Sequence, residues 1–180
     1  MTSNHHQSVM FDESIKALDL IEDGIYIDAT FGRGGHSQGI LDRLGDNAHL
    51  IAFDQDISAI NYAKKNFDDS RLKLIHSPFA QMHTVIEDLS LTGKINGILM
   101  DLGVSSPQLD NAERGFSFNN EGPLDMRMNQ TTGLSAAQWL AQAGEEEIAN
   151  VIYQFGDEKK SRHIASRIKK FQLEQPLETT

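Results

Sequence analysis

Apolar runs and polar breaks alternate along the first hundred residues. Positions 25–30 (Ile-Tyr-Ile-Asp-Ala-Thr), 49–54, 72–76 and 95–102 are short, nearly continuous apolar runs. They have the length of strands, and Asp23-Gly24, Gly45-Asp46-Asn47 and Ser77-Pro78 punctuate them as turns. Between them apolar residues recur at helical spacing: Ile40, Leu41 and Leu44; then Ile57, Ile60, Ala63 and Phe67; then Val85, Ile86 and Leu89. A short helix over Ile15 and Leu18, capped by Asp12, is expected ahead of the first strand. Strands alternating with helices imply a parallel sheet with right-handed crossovers. Runs this continuously apolar are expected where both faces of the sheet are covered.

The pattern changes after the fourth run. Positions 103–132 are rich in Gly, Pro, Asn and Asp and predict loops. Ser135 is placed to cap a helix carrying Ala137, Trp139 and Leu140. Glu145-Glu146-Glu147 opens a second, with Ile148, Val151, Ile152 and Phe155, and acids in a first turn suit the helix dipole. A third spans 159–171 around Ile164 and Ile168, stopped by Gln175-Pro176. No fifth strand and no internal repeat is visible.

Composition narrows the classes. The 180 residues are enough for one domain, or one and part of another. The absence of cysteine removes disulfides and thiolate zinc sites and fits a reducing cytosol; no metal site is expected. His5-His6 is too short for a metal tract, the polar start gives no export signal, and no apolar run reaches membrane-spanning length. A cytoplasmic protein with no membrane partner is expected. A net charge of −10 argues against nucleic-acid binding through the whole surface. The one basic concentration is Lys159, Lys160, Arg162, Arg167, Lys169 and Lys170 on the last helix, which reads as a solvated face or as an RNA-backbone contact.

Candidate chemistry gathers at the strand ends, because open α/β sheets bind ligands outside the carboxyl ends of their strands. Asp28 closes the first strand ahead of a turn with Gly32, Gly34 and Gly35. Asp54 ends the second, where a carboxylate can accept from both hydroxyls of a ribose. Phe79 follows the third and either lines an adenine site or packs beneath the next helix. Asp101 ends the fourth and opens a Ser-Pro cluster. The glycine turn alone fits a pyrophosphate on a helix N-terminus or the methionine end of S-adenosylmethionine. Asp28 tilts the choice to the second, as an acid is a poor neighbour for a pyrophosphate and a good one for an ammonium group. Its competing role is to close the turn. Arg33 is placed either to reach a cofactor carboxylate or to stay solvated. Asp101, or a carbonyl near 105–107, could accept from the N–H groups of a base amine as its nitrogen attacks a methyl group. Phe116, Phe118 and Trp139 are candidates for base stacking, with core packing the stronger role for Trp139.

Six segments together resemble one family: Asp28-Ala-Thr-Phe-Gly-Arg-Gly-Gly-His-Ser37, Ala52-Phe-Asp54, His76-Ser-Pro-Phe79, Asp101-Leu-Gly-Val-Ser-Ser-Pro-Gln-Leu-Asp110, Arg114-Gly-Phe-Ser-Phe118 and Gly122-Pro-Leu-Asp-Met-Arg-Met128. The chain is similar, from His6 onward, to the bacterial small-subunit ribosomal RNA cytosine-N4 methyltransferases, the RsmH or MraW family. The resemblance implies a Rossmann-like class I methyltransferase sheet of which this chain holds the first four parallel strands. It implies residues 1–105 as the first part of the cofactor-binding domain and 106–180 as a helical inserted domain used in RNA recognition. S-adenosylmethionine is the implied donor, contacted by Gly34, Gly35, His36, Asp54, Phe79, Asp101 and Gln108. A cytidine N4 amine in the decoding region of 16S ribosomal RNA, within the small subunit, is the implied acceptor, with Asp101, Ser106 and Pro107 beside the chemistry. The roles of His36 and Gln108 come from the resemblance alone.

Two departures matter. Amino-methyltransferases acting on cytosine N4 resemble a Ser-Pro-Pro-aromatic motif after strand four, whereas Gln108 follows Ser106-Pro107 here, so stacking falls to Phe116 or Phe118. Family members are about twice a domain's usual length, with further strands after the helical insertion, so the chain is expected to be an N-terminal part. Its fourth strand should then lie at the sheet edge, and the piece should be less stable than the whole and inactive alone. The other readings are a nicotinamide-dependent oxidoreductase, disfavoured because the glycines do not space as G-x-G-x-x-G, and a non-catalytic cofactor- or RNA-binding module.

Overall fold

A computed structural model describes residues 8–180. His5-His6 and the polar start lie outside the described residues. Contacts divide the chain into two units, the first ending at Gly103 and the second running Val104–Thr180. The expected boundary lay two residues later.

The first unit is α/β. Helix α1 (Phe11–Ala17) precedes β1 (Ile25–Asp28), α2 (Gly35–Leu41), β2 (His49–Asp54), α3 (Ile57–Asn66), β3 (Leu72–His76), a 3-10 turn (Phe79–Gln81), α4 (Met82–Asp88) and β4 (Gly97–Leu99). The four strands form one parallel sheet in the order β3-β2-β1-β4. Its centre is dry: Tyr26, Ile27, Leu50, Ile51 and Phe53 are buried. Ile15, Ile40 and Leu41 cover one part of the core, and Ile86 with Met82, Val85 and Leu89 another. Chain order reverses between β1 and β4, which makes their carboxyl ends the switch point of the sheet.

Two details of the expected pattern change. Asp12 lies in the first turn of α1, and Met10, in a left-handed conformation (φ 50°), caps it. The fourth apolar run supplies only three strand residues, and Ile98, Met100 and Leu102 are exposed. β4 is an edge strand that pairs, among the described residues, with β1 alone. Hydrogen bonding on one side holds a shorter stretch, and the expectation of two covered faces fails there.

The second unit holds α5 (Ser106–Asp110), a 3-10 turn (Ala112–Arg114), α6 (Ala136–Gln142), α7 (Glu145–Gly156) and α8 (Ser161–Gln172). Ser135 caps α6 as expected, with Gln138 reaching back to its backbone N–H at 2.9 Å. Ile148, Ala149 and Ala165 form the helical core, and Trp139 packs against it. Phe155, expected inside, is 83% exposed near the end of α7. The stretch 104–132, expected as loop, is braced. Buried Arg114 donates to the carbonyls of Arg127 and Met128 at 3.0 and 2.9 Å. Arg127 grips the Asp125 carboxylate with two nitrogens, at 2.9 and 2.7 Å. Gly115 (φ 70°) is required there, since a Cβ would strike the Pro123 carbonyl and the Asp125 amide.

Candidate functional site

The turn after β1 is closed by two hydrogen bonds. Asp28, fully buried, accepts from Ser37 Oγ at 2.6 Å and from the Thr30 N–H at 3.0 Å. It therefore ties the strand to α2 through Oδ2 and closes its own turn through Oδ1, and this turn-closing role accounts for its position. Burial pushes its carboxyl above the ordinary range, against the lowering effect of the Ser37 and Thr30 hydrogen bonds. Gly34 (φ 75°) caps α2. A Cβ there would collide with the rings of Phe67 and Phe31.

Asp54 stands at the end of β2 and reaches across to the same turn. Its Oδ2 accepts from the Gly32 N–H at 2.8 Å, and its Oδ1 from the Asp56 N–H at 2.8 Å. Capping of α3 is left to Asp56, which accepts from the Ser58 N–H. Burial raises the Asp54 carboxyl, opposed by the Asp56 and Gly32 amides.

The β4 end adds Asp101. Its N–H donates to Thr30 Oγ1 at 2.8 Å, which joins the chain after β4 to the turn after β1. Its carboxylate is half exposed and lies 3.9 Å from Nδ1 of His36. His36, in the first turn of α2, is buried, and its Nε2 has no hydrogen-bond partner in the described structure. Asp54 and Asp101 are thus each hydrogen-bonded to the turn that holds Gly34 and Gly35, and His36 faces Asp101 from the first turn of α2. Phe79 opens the 3-10 turn after β3 and is 39% exposed, outside the core clusters. The exposed Arg33 lies over the Tyr62 ring at 4.6 Å.

Gln108, Ser106 and Pro107 belong to the second unit. Ser106 and Pro107 are the first residues of α5. Gln108 is buried, and its Oε1 accepts from the Ser105 N–H at 2.9 Å, a helix-capping contact. Phe118 is 91% exposed, and Phe116 lies 5.9 Å from the Arg114 guanidinium. On α8, Arg162, Arg167 and Lys170 are exposed, whereas Lys169 turns inward and donates to the carbonyls of Leu140 and Ala143 at 3.3 and 3.0 Å. It seals the end of α6, so it leaves the basic face. Sequence reasoning missed Thr30 and Ser37; both lie inside the glycine motif, and only the fold shows what they hold.

A parallel sheet in this order, with a glycine turn into α2 and an acid closing β2, defines an α/β protein of the doubly wound, nucleotide-binding class. The profile of the MraW methylase family matches residues 3–180, and the chain belongs to that family. It is 72% identical over 180 residues to the ribosomal RNA small subunit methyltransferase H of Ruthia magnifica subsp. Calyptogena magnifica, covering 100% of this chain and 59% of that protein. The protein of the same name from Alteromonas mediterranea is 58% identical over 175 residues, covering 97% of this chain and 56% of its own. The chain therefore spans somewhat over half the length of these curated relatives. A crystal structure of a putative rRNA methylase from Clostridium thermocellum is 20% identical, covers 43% of this chain and 46% of that one, and has a TM-score of 0.39, too low to carry weight. No helix among the described residues is long and apolar enough to cross a membrane.

The donor set tests which cofactor fits. Asp54 and Asp101 put two carboxylates beside one glycine turn, while the buried Asp28 closes that turn from within. Such a rim repels a pyrophosphate and suits a cationic ligand with a ribose diol. S-adenosylmethionine, with its sulfonium and ammonium groups, has that chemistry.

Proposed function

We propose that the protein is an S-adenosylmethionine-dependent methyltransferase acting on the N4 amine of a cytidine in the decoding region of 16S ribosomal RNA, within the small subunit. The observation that carries it is the acidic rim at the β1–β4 switch point, with Asp54 bonded to the glycine turn. Asp54 accepts from the ribose hydroxyls. Gly34 and Gly35 let the backbone approach the methionine end, beside His36. Phe79 offers an exposed ring to the adenine. Bound there, the cofactor supplies an electrophilic methyl group. Asp101, half exposed, accepts from the amine N–H groups and helps the nitrogen take tetrahedral geometry; alignment of the reacting atoms supplies much of the remainder.

The second unit reads the RNA. Phe116 and the exposed Phe118 offer stacking surfaces, and Arg162, Arg167 and Lys170 offer phosphate contacts. Labelled S-adenosylmethionine incubated with the intact protein and unmethylated small subunits should place label on one cytidine N4. Asp101→Ala should slow this at least about 100-fold, the usual size of one lost electrostatic contact in a transition state. Methylation at the normal rate in Asp101→Ala would remove Asp101 from the chemistry.

A second reading, a cofactor- and RNA-binding portion that does not itself transfer methyl, is favoured by the exposed edge at β4. Under it the 180-residue chain binds the donor and leaves small subunits unlabelled.

A further inference from the structure

The function proposed above uses His36 and Asp101 but gives no role to what holds His36 in place. Its ring lies against Phe11, the first residue of α1, with centroids 5.9 Å apart and planes 16° from parallel. That separation is in the range of offset aromatic stacking. Phe11 is itself held. The Arg43 guanidinium stands 5.8 Å from its ring centroid, and Arg43 Nη1 donates to the Gly39 carbonyl at 2.8 Å. Gly39 lies inside α2, where glycine is unfavourable relative to alanine. A Cβ at Gly39 would collide with the Phe11 ring, and would lie 3.4 Å from Ile15 Cδ1. The glycine is a notch for the aromatic ring.

The other end of this stack is Asp101. Its backbone is pinned by Thr30, but its carboxylate is half exposed and meets His36 Nδ1 at 3.9 Å. The imidazole is buried and its Nε2 has no hydrogen-bond partner in the described structure. With Nε2 unanchored, the Phe11 ring is what fixes the imidazole plane.

We propose that Phe11 is a positioning residue of the donor site: seated in the Gly39 notch, it holds His36 so that Nδ1 faces Asp101. This rests on reading the crevice as a methyl-donor site. A leucine at position 11 would keep apolar contact with Ile15 but offer His36 no flat face. The ribose end, held at Asp54, should not feel the change.

The test is calorimetric titration of the chain with S-adenosylhomocysteine and with adenosine, alongside the imidazole proton resonances of His36 without ligand. Phe11→Leu should weaken S-adenosylhomocysteine about tenfold, a coupling of ordinary size for contacting residues, and adenosine by less than about twofold, within the ordinary scatter of independent sites. Phe11→Tyr should keep wild-type affinity. Gly39→Ala, which adds helix propensity, should weaken S-adenosylhomocysteine by displacing the ring, with no further effect in the Phe11→Leu background. The His36 resonances should move in Phe11→Leu as the ring current is lost. Wild-type affinity in Phe11→Leu, or equal loss for both ligands, overturns the proposal. Unmoved His36 resonances overturn it too. A wild-type chain that ignores S-adenosylhomocysteine overturns the donor-site reading, while the His36 resonances still report on the stack.

Discussion

Ser37→Ala removes the shortest hydrogen bond to the most deeply buried carboxylate of the sheet. Ser37 Oγ donates to Asp28 Oδ2 at 2.6 Å, and both residues are fully buried. A hydrogen bond to a charged group is worth about 1.5–3 kcal/mol, and a neutral one about 0.5–1.5. With Asp28 ionised, the substitution should cost about 2–3 kcal/mol. The sign of the pH dependence follows from Asp28, whose carboxyl is raised by burial and pulled back by Ser37. A raised carboxyl binds its proton more tightly in the folded chain than in the unfolded one. Ionised Asp28 therefore weakens the fold at high pH, and that penalty fades as pH falls through the raised value. Ser37→Ala raises the carboxyl further, so its cost should shrink toward about 1 kcal/mol once Asp28 carries a proton in both proteins. Amide exchange at Ile27, Asp28 and Ala29 reads the loss in the first unit. In an Asp28→Asn background the same substitution should cost about 1 kcal/mol at any pH. A cost that does not fall as pH is lowered, or is unchanged by Asp28→Asn, would refute the role given to this pair.

Other substitutions probe the remaining supports. Gly34→Ala forces a side chain into a left-handed conformation and against two aromatic rings; about 2–5 kcal/mol of destabilisation is expected in urea unfolding. Arg114→Met leaves the carbonyls of Arg127 and Met128 without their donor, so limited proteolysis should cut the 115–133 stretch at least about tenfold faster, the effect of about 1.4 kcal/mol. Asp125 behaves oppositely to Asp28: the Arg127 guanidinium holds its carboxyl at about 2. A lowered carboxyl contributes stability above the unfolded value, and that contribution is lost only as pH falls toward about 2. Exchange protection at Arg127 should therefore persist to about pH 3 and disappear in Arg127→Lys, whose point charge lacks the fork.

Two of the apolar runs match their strands from end to end. The bounds of β2 and β3 are those read from apolar runs, because those strands lie between turn signals that leave no choice. The run at 95–102 lies at the sheet edge as expected, but it was read as too long a strand, since an apolar run does not say how many of its residues are paired or covered. Ser135 was readable as a cap because capping is local. The Ser105–Gln108 box was equally local and was passed over amid turn-forming residues. Long-range pairings were not readable: His36 with Asp101 and Asp54 with Gly32 depend on strand order. Lys169 looked like one more surface cation, and only the packing of α6 near α8 shows the carbonyls it seals.

The central claim is that the acidic switch point of this sheet binds a cationic adenosyl donor. Calorimetric titration of the chain with S-adenosylmethionine and with NADH, repeated on Asp54→Ala, tests it most directly. The account predicts saturable heat with S-adenosylmethionine, none with NADH, and about 100-fold weaker donor binding in Asp54→Ala, the loss of two hydrogen bonds to one charged group. Saturable NADH binding, or donor binding untouched by Asp54→Ala, would contradict it.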